Sequence, residues 1–144
     1  MTVTFCGHRV VANPQAVELW LTGVVESLIK EGATQFYLGG YGQFDELAFQ
    51  VVRQWKKTYP HIKTIYVMAY LNRVPRDIDW YDDTTYPPIE EGPQRFAISR
   101  RNKWMATACD VLVVYLRYDD VGGAAAMYKQ ARRQGKPCIH FPIP

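Results

Sequence analysis

The stretch Asp110 to Ala131, DVLVVYLRYDDVGGAAAMYKQA, decides how the chain is read. Val111 to Leu116 is an apolar run rich in β-branched residues with no helical spacing, which suits a strand covered on both faces, as in a parallel sheet. From Gly123 onward the pattern changes. Ala124, Met127, Tyr128 and Ala131 recur at intervals of three and four and make one face of a helix. Gly122 and Gly123 stand where the chain turns between the two. Amides at the start of a helix have no partner within it, an arrangement that suits a phosphate or carboxylate. The competing reading is that the glycines only permit a tight turn and close helix–sheet packing.

Upstream, the same alternation repeats. Thr2 to Cys6 reads as a first strand ending at Gly7-His8-Arg9, and Asn13-Pro14 as a helix entry. Val17, Leu21, Val24, Leu28 and Ile29 keep helical period up to Gly32. Gln35 to Leu38 gives a second strand that breaks at Gly39-Gly40-Tyr41-Gly42, after which Leu47, Ala48, Val51, Val52 and Trp55 mark a second helix. Ile62 to Tyr70 is a third strand. Leu71 to Pro93 reads as irregular, with four prolines and a dense acidic and aromatic set, either a flap over the site or a loop packed elsewhere. Gln94 to Ala108 looks helical, and Cys138 to Phe141 closes the chain as a last strand. The order predicts an α/β, Rossmann-like single domain over residues 1–144, with a mainly parallel sheet of about five strands flanked by helices.

Composition narrows the classes. A chain of 144 residues with 48% hydrophobic content supports one core. A net charge of +3 permits an anionic ligand without demanding nucleic acid. Cys6, Cys109 and Cys138 form no CxxC pair, and His8, His61 and His140 add no ligand pattern to them. No metal site, cofactor or disulfide framework is therefore expected, and a reducing cytoplasm fits. Met1 leads straight into a strand, and no apolar run reaches the length of a membrane span, so a cytoplasmic protein without a membrane partner is expected.

Three strands thus end in glycine-bearing turns, at Gly7-His8-Arg9, at Gly39 to Gly42, and at Asp119-Asp120-Val121-Gly122-Gly123. In a doubly wound sheet, ligands sit beyond the carboxyl ends of the strands where the winding reverses. If the first strand neighbours Val111 to Leu116, the three turns converge on one crevice. Outward amides supply direction for a phosphate, while Arg9 supplies charge and a two-pronged donor. The standard motifs nevertheless fail. Gly39-Gly40-Tyr41-Gly42-Gln43-Phe44 is not GxGxxG, and neither GxxxxGK[ST] nor GxSxG occurs, which argues against a nicotinamide dehydrogenase, a P-loop NTPase and a serine hydrolase. His8 either meets ligand or caps a backbone group. Asp45 and Glu46 either serve a ligand ribose or simply favour the dipole of the helix they open.

In order along the chain, Thr4-Phe5-Cys6-Gly7-His8-Arg9, Gly39 through Ala48 (GGYGQFDELA), Arg101-Asn102-Lys103-Trp104-Met105, Cys109-Asp110 and Gly122-Gly123 resemble the YspA-like branch of the SLOG superfamily. That superfamily takes in the DNA-processing protein DprA and the LOG-type phosphoribohydrolases. The resemblance implies a Rossmann-like fold whose glycine turns bind a nucleotide or a nucleotide derivative, often as a sensor, and pairing into a homodimer. It matches Gly7 and Arg9 to the first turn, Gly39, Gly40 and Asp45 to the second, Gly122 and Gly123 to the third, and Arg101, Asn102 and Trp104 to the helix before the fourth strand. Arg101 and Trp104 either reach the site or knit the helix to its neighbours, with Trp104 the better candidate for the core. LOG-type enzymes carry PGGxGTxxE at the third turn. Here Lys129 stands in place of the glutamate, so the term that would stabilise an oxocarbenium-like charge is missing. The expected function is binding of a nucleotide-type small molecule, with an N-glycosidic hydrolase as the alternative and a DprA-like nucleic-acid module third. The expected ligand set is Gly7, His8, Arg9, Gly39, Gly40, Gly42, Asp45, Arg101, Asp119, Gly122 and Gly123, with Glu46 the acid of any hydrolysis and Asp45, Asp119 and Asp120 its substitutes.

Overall fold

The computed structural model describes residues 1–71, 73–87, 92–117 and 122–142. Its elements run β1 (Thr2–Gly7), α1 (Pro14–Lys30), β2 (Gln35–Leu38), α2 (Gln43–Lys56), β3 (Lys63–Val67), β4 (Asp83–Thr85), α3 (Ala97–Ala108), β5 (Val111–Tyr115), α4 (Gly123–Arg133) and β6 (Cys138–His140). The strands form one sheet in the order β4-β3-β2-β1-β5-β6, and every pairing is parallel. This is a Rossmann-like α/β fold.

Parallel strands need crossovers, and the apolar pattern shows where those crossovers lie. Along β5, Val113 and Tyr115 join Val3 and Phe5 of β1 in a core with Val17 and Leu21 of α1 and Phe44 and Val52 of α2. Leu112 and Val114 point the other way, into a core with Met105 of α3 and Met127 and Ala131 of α4. Each face of the sheet thus carries two helices. This is why Val111 to Tyr115 is apolar at every position and does not alternate with polar residues. Local signals set the helix ends. The Asn13 side chain accepts a hydrogen bond from the Ala16 amide at 3.3 Å, Pro14 stands in the first turn, and Gly32 takes a φ of 111° just past the end of α1.

The sheet has six strands where about five are expected from sequence. The addition, β4, comes from the stretch that reads as irregular. Asp83 to Thr85 is polar and mostly exposed, and it pairs only with β3. Side chains next to it fix it there. The Asp82 carboxylate accepts from the Thr64 amide at 2.8 Å and from the Thr64 hydroxyl at 3.1 Å, and it pairs with Lys56. Tyr81 stacks on Phe49 of α2 with ring centroids 4.1 Å apart. Part of the stretch therefore packs on the sheet edge, while Arg73, Val74 and Pro75 turn toward the carboxyl ends of the strands.

β1 lies between β2 and β5, with Val3 opposite Val111 and Gly7 opposite Tyr115. The chain winds outward from β1 to β4 on one side and from β5 to β6 on the other. The winding therefore reverses between β1 and β5, which is where a doubly wound sheet opens a crevice. No helix among the described residues is long and apolar enough to cross a membrane.

Candidate functional site

A cavity of about 190 Å³ sits in that crevice. Gly7, His8 and Arg9 line it from the end of β1, Asp45 from α2, Arg101 and Asn102 from α3, and Gly123 and Ala124 from the start of α4. A second cavity of about 260 Å³ shares the wall made by Tyr41, Ile98 and Arg101, and Gly39 and Gly40 line it. Gly42 and Glu46 face a third space of about 380 Å³, bounded by Phe49, Pro75 and Tyr81. The structure thus brings Gly7, His8, Arg9, Asp45, Arg101 and Gly123 together and sets Glu46 on a different groove. Asp119 and Asp120 lie outside the described residues. Gly122 caps α4 just behind Gly123.

The first two turns are locked to each other. The Gln43 amide donates to the Arg9 carbonyl at 2.8 Å, and the Gln43 side-chain oxygen accepts from the Val11 amide at 2.8 Å. Gly42, with φ 97°, lies so close that a Cβ there would stand 2.8 Å from the Arg9 Cα. Only glycine accepts that torsion and that approach together. The lock presents the exposed Arg9 side chain at the rim, where its guanidinium lies 4.3 Å from the centre of the Tyr41 ring. The stacking holds the charge without neutralising it.

Arg101 is only 3% exposed and still reaches the cavity wall. Its Nη1 donates to the Gly39 carbonyl at 2.8 Å and to the Val67 carbonyl at 3.4 Å, while Nε donates to Asn102 Oδ1 at 3.2 Å. It therefore knits α3 to the ends of β2 and β3 and also lines the site. Gly39 is glycine because the guanidinium lies on it: a Cβ there would be 2.8 Å from Arg101 Cζ. Burial lowers the Arg101 pKa, and the nearby Asp45 pulls it back up. Trp104, by contrast, stacks on Tyr37 with centroids 5.6 Å apart and packs against the core.

Asp45 is the one carboxylate lining the first cavity among the described residues. The residue keeps some surface, but protein crowds its carboxyl group on every side. Burial raises its pKa to about 6, against the opposing pull of Arg101 and of amide donors at Tyr41 and Gly39. The Tyr41 amide donates to Asp45 Oδ2 at 3.3 Å. Read from sequence, the glycines of this second turn offer outward amides to a ligand. In the structure, amides of that turn face the protein's own carboxylate.

His8 takes the capping role. Its Nε2 accepts from the Arg117 amide at 2.9 Å, which requires the neutral ring. Burial and the Arg117 charge both lower its pKa, which supports that state. Lys129 is exposed on α4 and does not line the cavity. Sequence reasoning passed over Tyr41, Ile98, Met105 and Met127 as lining residues. The only signal for Tyr41 was its place in the glycine turn, while the other three read as ordinary core positions.

No protein-family model matches the chain, and no curated protein does. Solved structures match over nearly its whole length. DNA processing protein A from Helicobacter pylori, studied for its single-stranded DNA binding mode, superposes with a TM-score of 0.70 at 18% identity, covering 100% of this chain and 66% of that one. TM1055, a structural genomics target, gives 0.63 at 16% identity over 95% of this chain and 71% of its own. The Chlamydomonas reinhardtii Moco carrier protein gives 0.59 at 13% identity over 96% and 74%. These likenesses are ones of fold. The chain spans about two thirds of the length of the DNA processing protein A structure.

Proposed function

We propose that the protein is a YspA-like member of the SLOG superfamily that binds a nucleotide or nucleotide-derived small molecule, as a sensor or sequestering protein, and that it pairs into a homodimer. The observation that carries the ligand reading is the start of α4. Gly122 has φ 98° and ψ 170°, no side chain among the described residues caps the helix, and its first turn holds no acid. Gly123 and Ala124 line the cavity there, together with Arg9, Arg101 and Asn102. Amides with no partner among the described residues, the positive end of a helix and two guanidinium groups around one small cavity are the requirements of a phosphate monoester. The fold shared with a Moco carrier protein fits the carriage of a small molecule, and the fold shared with DNA processing protein A fits a phosphate-bearing ligand.

The N-glycosidic hydrolase is the weaker alternative. Lys129 is exposed where LOG-type enzymes place a glutamate, and Glu46 faces another groove. Asp45 is the lining carboxylate among the described residues, and its contacts with the second turn give it a structural task. Incubation with nucleoside monophosphates should release no free base by chromatography above the uncatalysed rate. Rapid release abolished by Asp45→Asn overturns the binder reading.

Calorimetry tests the site itself. Arg9→Ala should weaken nucleotide binding about tenfold, the loss of one charge-assisted donor pair. Arg133→Ala removes an exposed residue whose Nε reaches only the Lys129 carbonyl on the same helix, and it should leave binding unchanged. Equal effects of the two substitutions refute the assignment.

A further inference from the structure

The wall formed by Tyr41, Ile98 and Arg101 separates two cavities of different chemistry. The first presents charges and a helix start. The second presents tyrosine rings, Tyr66 and Tyr70, with Ala69, Val74 and Pro75 around them. We propose that the second cavity is a subsite for a planar heteroaromatic ring, so that the ligand is a nucleoside monophosphate with its phosphate on the start of α4 and its base against Tyr66 and Tyr70. This rests on the reading that the first cavity takes the phosphate.

The rings are held in place before any ligand arrives. A Cβ on Gly40 would stand 2.4 Å from the Tyr66 ring, so the glycine turn leaves the space that this ring fills. Tyr81 packs on Tyr66 with centroids 5.2 Å apart at 65°. The Arg73 guanidinium lies 4.2 Å from the centre of the Tyr70 ring and fixes its orientation. Neither the Tyr66 nor the Tyr70 hydroxyl is bonded to another described residue, so the polar ends of these rings are left for a base edge. Arg101 joins the two cavities. Its Nη1 and Nε are engaged with protein, whereas Nη2 is not. Arg101 lines both cavities, so its guanidinium stands on the wall that a sugar linking base and phosphate would cross. A volume of about 260 Å³ exceeds the ~150 Å³ of a cavity that takes a benzene ring.

The test compares a ligand that has a ring with one that lacks it. Calorimetry on the full chain uses ribose 5-phosphate and the tightest binder among AMP, GMP, CMP and UMP. Stacking on an aromatic side chain strengthens binding by about tenfold or more, so the nucleotide should exceed ribose 5-phosphate by that factor. Tyr70→Leu and Val74→Trp should each remove about tenfold from the nucleotide and nothing from ribose 5-phosphate. Val74 is 62% exposed, so Val74→Trp fills the cavity from the surface without disturbing the core. Equal affinity for the two ligands, or variants that weaken both alike, overturns the ring subsite while the phosphate site stands. Failure of both ligands to bind overturns the phosphate site and the ring subsite together.

Discussion

Helices α2 and α4 start on glycines with nearly the same torsion angles, φ 97° and ψ 170° at Gly42 and φ 98° and ψ 170° at Gly122, and among the described residues no side-chain cap closes either one. Their first turns differ. That of α2 carries Asp45 and Glu46, and the Asp45 carboxylate takes up amides of the turn before it. That of α4 carries Gly123, Ala124 and Ala125, with no acid at all. One helix start is occupied by the protein itself and its turn is locked onto Arg9. The other, among the described residues, meets no such carboxylate and lines the cavity. A glycine turn at the end of a parallel strand can take an outside anion only when the chain supplies none of its own.

Giving the first turn of α4 a carboxylate, at its first position and not at the third where α2 carries Asp45, should produce the largest effect. Gly123→Asp places a carboxylate in the open turn, where the helix dipole favours it and where the nearest atom to a new Cβ is Asn102 Nδ2 at an ordinary 3.8 Å. The fold should be unharmed, with a melting temperature at or above that of the parent. Nucleotide affinity should fall a hundredfold or more, since the new charge occupies the anion's position and repels it. Undiminished affinity in calorimetry breaks the contrast between the two helices.

How much of this was legible in the sequence depends on what each feature rests on. The element order and the covered strand at Val111 to Tyr115 are consequences of apolar period and glycine punctuation, which are local and survive in the letters, whereas the pairing of β1 with β5 enters the sequence reading only as a condition. β4 is not local. Asp83 to Thr85 has no apolar period, and it is a strand because Asp82 reaches Thr64 and Tyr81 reaches Phe49. The convergence of Gly7, Arg9 and Gly123 is readable from topology, whereas Arg101 enters only through the resemblance, which leaves it either at the site or knitting its helix to its neighbours. The engagement of Asp45 with its own turn, and of His8 with an amide 109 residues away, is not readable, because each is decided by the direction of a side chain.

The two cap glycines give the next contrast, of about 2 kcal/mol. Both have positive φ, so alanine at either costs ~1 kcal/mol in backbone strain. Around Gly122 a Cβ meets nothing within 4 Å, whereas at Gly42 it meets backbone, the Arg9 Cα at 2.8 Å. Backbone cannot step aside cheaply. Gly42→Ala should therefore cost about 3 kcal/mol in denaturant unfolding against ~1 kcal/mol for Gly122→Ala. Equal costs mean that the first two turns are not locked as described.

The smallest expected effect isolates the charge that fills the start of α2. The Asp45 carboxyl has its pKa raised to about 6 from an ordinary 3.8, chiefly by burial. A carboxyl that holds its proton more tightly when folded makes the folded state bind more protons than the unfolded chain between those two values. Its contribution to stability is therefore fully present below about pH 4, falls as pH rises through 6, and stays lost above. Asn at this position keeps an acceptor for the Tyr41 amide and cannot ionise. At pH 8, Asp45→Asn should thus gain stability; the loss of charge-assisted amide bonds offsets part of the relief, leaving about 1 kcal/mol, or ~3 °C in melting temperature for a chain of this size. At pH 4 the parent is itself protonated, and the two proteins should melt together. A parent that is the more stable at pH 8 would show that Arg101 and the turn amides outweigh burial, making the α2 start a satisfied anion site of the same kind as the one left open on α4.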